Sequence, residues 1–237
     1  MKKLICFFFL FSAILFANAQ SPVRFYENSK VGYKNPDGSI LLPAKFEAGS
    51  EFQDGVAIVL MGNKRGYINT QGIFAIPAIY DDASLFFNGL AKVSFKGKYG
   101  FINSKGDFII QPQFEMAGDF TQGIAVVKQN GLYGFIDNTG KTIISCQYTN
   151  ANSFSEGFAS VQLNGKWGFI DPTGKTAINF SYDGANSFSK GEALVIKKDK
   201  NIVINTKNKK IREIENHEEE EEREREKENK RSKAKSQ

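Results

Sequence analysis

The sequence predicts an all-β protein made of tandem 34-residue units, each folding as a three-stranded antiparallel meander. Three observations carry that expectation. Gly32, Gly66, Gly100, Gly134 and Gly168 recur with a spacing of 34 and no slip. Turn chemistry repeats in the same register, with an Asx residue at Asn35, Asn69, Asn103, Asp137, Asp171 and Asn205 and a second glycine at Gly38, Gly72, Gly106, Gly140 and Gly174. Between the turns lie short segments of alternating apolar residues, such as Ala57, Val59 and Met61 or Ala159, Val161 and Leu163, the period of a half-buried strand.

The chain opens with Lys2 and Lys3, an apolar run from Leu4 to Phe16 broken only by Ser12, and Ala17-Asn18-Ala19. This is the pattern of a cleaved secretory signal over 1–19, and the run is shorter than the roughly 20 residues that span a bilayer. A mature chain is therefore expected to start at Gln20 and to carry no membrane span. Cys6 lies inside the run, so Cys146 is expected to stand alone, without an intrachain disulfide.

Within each unit, the central strand comes first, as in Trp167 to Asp171. Asx at the first turn position, Pro at the second (Pro36, Pro172) and Gly at the fourth then give a type I turn with a left-handed exit. An outer strand follows, ending at Phe46, Tyr80, Phe114, Tyr148 or Tyr182. Next comes F-x-x-G (Phe52 with Gly55, Phe86 with Gly89, Phe120 with Gly123, Phe154 with Gly157, Phe188 with Gly191), and then the other outer strand, which ends in turns such as Asn130-Gly131 and Asn164-Gly165. Asn-Gly between alternating segments is the strongest short hairpin signal. The same period belongs to helical tetratricopeptide arrays, but so many glycines leave no uninterrupted helical stretch of ten residues. The central strand is apolar on both faces, so neighbouring units must cover it.

KWGFIDPTGK (166–175), its variants KRGYINTQG, KYGFINSKG, LYGFIDNTG and KVGYKNPDG, and the following F-S-E-G-x-A-x-V resemble the WG-repeat family, also called KWG repeats, found in many bacterial proteins. The resemblance covers about residues 30 to 206 and weakens at the ends, where Val31 and Asn201 replace the aromatic and Ile202 replaces the glycine. It implies an all-β, propeller-like array and brings no catalytic residues with it. A propeller-like ring and an open twisted array both remain compatible with the pattern, since blades usually have four strands and about 40–45 residues. Segments 23–27 and 209–215 would complete six units.

From Lys207 the composition changes: this segment holds 11 basic and 10 acidic residues, with Ile211, Ile214 and Ala234 its only apolar ones. Such a stretch is expected to stay disordered or form a solvated helix through Glu219 with Arg223, Glu221 with Arg225 and Glu226 with Lys230. It is expected to be dispensable for folding. The domain division is thus 1–19 signal, 20–206 repeat domain and 207–237 charged tail. Of the formal charge of +5, leader and tail account for most, which leaves the repeats near +2. That is not the footprint of a nucleic-acid binder.

The lone histidine, His217, sits in the tail, which excludes imidazole-based triads and zinc sites from the repeats. Cys146 reads as a small core residue. Glu47, Asp81, Glu115 and Asp183 share one repeat position, with Thr149 at the remaining one. They read as groups that open the loop toward F-x-x-G by accepting backbone N–H bonds, and the competing reading is a carboxylate row for a cation or for glycosidase-like chemistry. Tyr67, Phe101, Phe135 and Phe169 read as core and not as a stacking platform. No catalytic, cofactor-binding or metal residue is assigned. Any binding face is expected on the variable loops 84–87 and 116–119. The expected function is a secreted or periplasmic binding or scaffold module for a protein or surface glycan. The alternatives are a carbohydrate-active enzyme using the repeated acids and a purely structural envelope component.

Overall fold

The computed structural model describes residues 21–214. The leader, His217 and the tail's charge pairs at 219–230 lie outside the described residues. The described chain is all-β, arranged in six antiparallel sheets. The first sheet holds β1 (Val23–Glu27), β2 (Lys30–Lys34) and β3 (Ile40–Phe46). The second holds β4 (Ala48–Gly49), β5 (Val56–Met61), β6 (Lys64–Asn69) and β7 (Phe74–Tyr80) in that spatial order. Sheets three to six repeat the second: β8 (Asp82–Ala83) to β11 (Phe108–Phe114), β12 (Met116–Ala117) to β15 (Thr142–Tyr148), β16 (Asn150–Ala151) to β19 (Thr176–Tyr182), and β20 (Gly184–Ala185) to β23 (Lys210–Ile214).

The three-stranded meander is present in every unit, and sheets two to six add a fourth, two-residue strand in front of it. That strand has no hydrophobic alternation of its own. What creates it is F-x-x-G, a second two-residue hairpin: Gln53 and Val56 exchange backbone hydrogen bonds around Asp54 (φ 50°) and Gly55 (φ 81°), the geometry of a type I′ turn. The short strand then pairs with the strand leaving this turn. The chain also runs on past the expected boundary at Thr206, because Lys210–Ile214 closes the sixth sheet as its outer strand.

Sheets stack in sequence order, and the central strand is shared between two interfaces. Tyr67 faces forward to Ala91, Val93 and Ile102 of the third sheet, while Ile68 faces back to Val31, Tyr33 and Phe46 of the first. The forward aromatic of each unit meets the phenylalanine of the next F-x-x-G, with ring centroids at 4.6 Å for Phe101 and Phe120 and 4.8 Å for Phe169 and Phe188. Each such buried ring contributes about 2 kcal/mol by removal from water. Tyr67, Phe101, Phe135 and Phe169 are at most 1% exposed, so the core reading holds.

The core clusters join consecutive sheets, and among the described residues none joins the sixth sheet back to the first. The two end faces are altered accordingly. Lys34 stands where Ile68 and Ile102 stand in later units, with its ammonium 4.6 Å from the Phe25 ring. At the other end Arg212 pairs with Glu192 at 2.7 Å. Polar residues thus terminate a stack that would otherwise present two apolar sheets, as terminal repeats must.

Candidate binding site

The two ends of every sheet do different work. At one end, the repeated acids close a latch between consecutive units. Lys64 pairs with Asp81, whose other oxygen accepts the Gly97 N–H at 3.0 Å. Lys166 likewise pairs with Asp183, which accepts the Lys198 N–H at 2.8 Å. Lys30 reaches Glu47 at 3.2 Å, and Glu115 accepts the Gly131 N–H at 3.1 Å. Where Thr149 replaces the acid, Leu132 replaces the lysine. Charge and partner are lost together, as expected if each acid serves its own latch. Among the described residues no three of His, Cys, Asp and Glu gather where a metal could be held. The acids do accept backbone N–H groups, but those of the hairpin turn in the following sheet and not of the loop toward F-x-x-G, and among the described residues the carboxylate row has no common centre.

The hydrogen bond from Lys64 holds the Asp81 carboxyl below its ordinary range, helped by the Gly97 N–H, and Lys166 and the Lys198 N–H do the same for Asp183. A lowered folded-state pKa means the stabilisation is fully present above the unfolded value of about 4 and is lost as pH falls from there through the lower folded-state value. The wild-type melting temperature should therefore drop between about pH 5 and pH 3. The Asp81→Asn, Asp183→Asn double variant should start lower and show a flatter profile there. Parallel profiles in a thermal-melt series would refute the latch.

The opposite end carries the F-x-x-G turns. There, residues of three consecutive units line a cavity of about 300 Å³: Gln53 from the second sheet, Ser84, Leu85, Phe86 and Phe87 from the third, and Asp119, Phe120 and Thr121 from the fourth. Phe87 is 55% exposed. The Ser84 hydroxyl is committed, donating to the Leu85 carbonyl at 3.0 Å and accepting the Lys92 N–H at 3.0 Å. The Asp119 carboxylate lies 3.2 Å from the Lys92 ammonium. Of the two loops expected to bind, 84–87 lines the cavity throughout, whereas 116–119 contributes only Asp119, because Met116–Ala117 is drawn into a sheet.

Gln53, Phe120 and Thr121 are site residues that the sequence reading missed. A signal was present. The residue after the F-x-x-G phenylalanine is Gln53, Phe87, Thr121, Ser155 or Ser189, and the large aromatic is out of step with the hydroxyls. Cys146 is a free, half-buried thiol beside the core between the third and fourth sheets, and burial pushes its pKa up.

A model described as "WG containing repeat" matches residues 32–64, 66–99, 99–133, 133–167 and 167–200. The chain belongs to the WG-containing repeat family. The matches restart at or beside Gly32, Gly66, Gly100, Gly134 and Gly168, so the family unit and the structural latch share one register. No curated protein matches this WG-repeat sequence. Among solved structures, a crystal structure of the eukaryotic initiation factor is 12% identical, with a TM-score of 0.52 over 80% of this chain and 62% of that one. Kluyveromyces lactis Hsv2 is 10% identical, with a TM-score of 0.47 over 68% of this chain and 59% of that one. PorZ, a surface component of the type-IX secretion system of Porphyromonas gingivalis, is 10% identical, with a TM-score of 0.41 over 83% of this chain and 31% of that one. The WG-repeat chain thus spans less than two thirds of the length of each. At these identities the likeness to the first is one of fold alone.

Proposed function

We propose that this WG-repeat protein is a secreted or periplasmic binding module, not an enzyme, and that its F-x-x-G end engages a protein or a surface glycan. The observation that carries the reading is where the repeats agree and where they differ. The shared residues are spent on structure: glycines on close strand contacts, aromatics on core, acids on latches. The apolar cavity opens where Phe87 breaks the repeat pattern, and loops on a rigid array are free to vary without disturbing it. Export rests on the leader pattern at 1–19.

The test is capture from envelope fractions with the mature chain and with Phe87→Ser. Serine occupies the equivalent positions 155 and 189, so the variant keeps the fold. A captured species should be lost with Phe87→Ser and kept with Thr149→Ser at the opposite end. Equal capture by both variants would refute the site. Glycan hydrolysis that disappears in Asp81→Asn would replace the reading with an enzyme. Amino-terminal sequencing of the exported chain should begin at Gln20, and retention of 1–19 would refute the secretory step.

A further inference from the structure

A ladder of side-chain donors runs along the F-x-x-G end and, among the described residues, is open at two rungs, both at the cavity: Gln53 makes no bond to the Phe86 carbonyl, and Phe87 has no donor to offer. The Thr121 hydroxyl donates to the Phe154 carbonyl of the next unit at 3.0 Å, and the Ser155 hydroxyl donates to the Phe188 carbonyl at 2.7 Å. The preceding rung needs a donor at position 87, and Phe87 has none. The Phe120 carbonyl, in a residue 7% exposed, receives no hydrogen bond from the described residues. An acceptor with no protein donor takes its hydrogen bond from solvent or from a ligand in the cavity. The repeat geometry faces it toward position 87, where the cavity lies.

We infer that this cavity takes one pyranose unit of a glycan. The ring stacks its C–H face on Phe87, and its hydroxyls bond to the Phe120 carbonyl and the Asp119 carboxylate. The inference rests on the preceding reading of the F-x-x-G end as a binding face and names its ligand class. Three features match that chemistry. An exposed aromatic ring offers a negative face to the weakly positive C–H groups of a sugar. Phe120 and Asp119 supply acceptors on the other side, which select a ligand edge made of donors. Lys92, outside the lining, pairs with Asp119 at 3.2 Å and so holds that acceptor in place.

Lys92 also decides between ligand classes. It neutralises Asp119, which removes the reason for a lysine or arginine of a protein partner to seek the site. A space of about 300 Å³ is at the small end for ligand pockets and suits one ring with its substituents. It is too small for the central anchor cluster of a protein interface.

Saturation-transfer NMR on the mature chain, with methyl glycosides of glucose, galactose, mannose and N-acetylglucosamine as probes, tests the inference. At least one probe should receive saturation on its ring protons. The signal should fall at least tenfold in Phe87→Ser, which restores the rung at position 87, and in Asp119→Asn, with melting temperatures unchanged. If no probe responds while envelope capture still depends on Phe87, the glycan assignment is overturned and the binding face stands. If neither depends on Phe87, both readings fall. A signal that survives in both variants places the sugar elsewhere and also overturns the inference.

Discussion

Gly168→Val should lower the melting temperature by roughly 6–12 °C, the shift expected for about 3 kcal/mol of overpacking in a domain of this size. A Cβ at Gly168 would lie 2.7 Å from the Ile178 carbonyl oxygen and 3.0 Å from the Phe180 nitrogen. These atoms belong to the outer strand of the same sheet. They come close because that strand bulges: Trp167 pairs with Tyr182 and Phe169 with Ile178, so four residues of advance on one side meet two on the other. The sixth sheet supplies the natural control. Ile202 replaces the glycine there, and Asn201 pairs with Ile214 and Val203 with Arg212, residue for residue, without that bulge. The glycine and the bulge come and go together. A wild-type melting curve for Gly168→Val would show that the outer strand can flatten at no cost.

Truncation after Thr206 should produce a second, earlier unfolding step, in contrast to the dispensable segment expected from composition. It removes Lys210–Ile214 and so leaves Asn201, Ile202, Val203 and Ile204 without their outer partners. Val203 is 3% exposed and Ile204 2%, and uncovering them costs about 2–4 kcal/mol. In a stack whose units contact only their neighbours, the loss should stay largely within the sixth sheet. Scanning calorimetry should show a broadened, two-step transition. Truncation after Ile214 should leave the transition unchanged, since 215–237 carries almost no apolar surface. A single unshifted transition after truncation at Thr206 would mean that the strand contributes no net stability.

Strand positions, turn types and core residues were legible from the amino acids because each is a local matter repeated in one register. Asx at 171 and glycine at 174 suffice for the turn observed there, with Gly174 at φ 84° and its N–H bonded to the Asp171 carbonyl at 2.9 Å. The alternation of Phe169 and Ile170 suffices for a strand buried on both faces. Composition, by contrast, misled at Lys210–Ile214: five residues rich in charge still form a strand, because an existing sheet edge offers them backbone partners. The short fourth strands were likewise invisible, since two residues have no periodicity to read. The binding cavity was half legible. The variable loop 84–87 was marked by its departure from the repeat, but its neighbours Gln53 and Phe120 belong to the adjoining units, 34 residues before Phe87 and 34 after Phe86. Only stacking of one sheet on the next brings those three units to one place, and only that stacking shows the Phe120 carbonyl facing a side chain that cannot donate to it. The sequence by itself determined the repeat, its turns and its core; tertiary packing decided which polar groups are satisfied across the unit boundaries, because those bonds run between residues 15 to 34 apart in the chain.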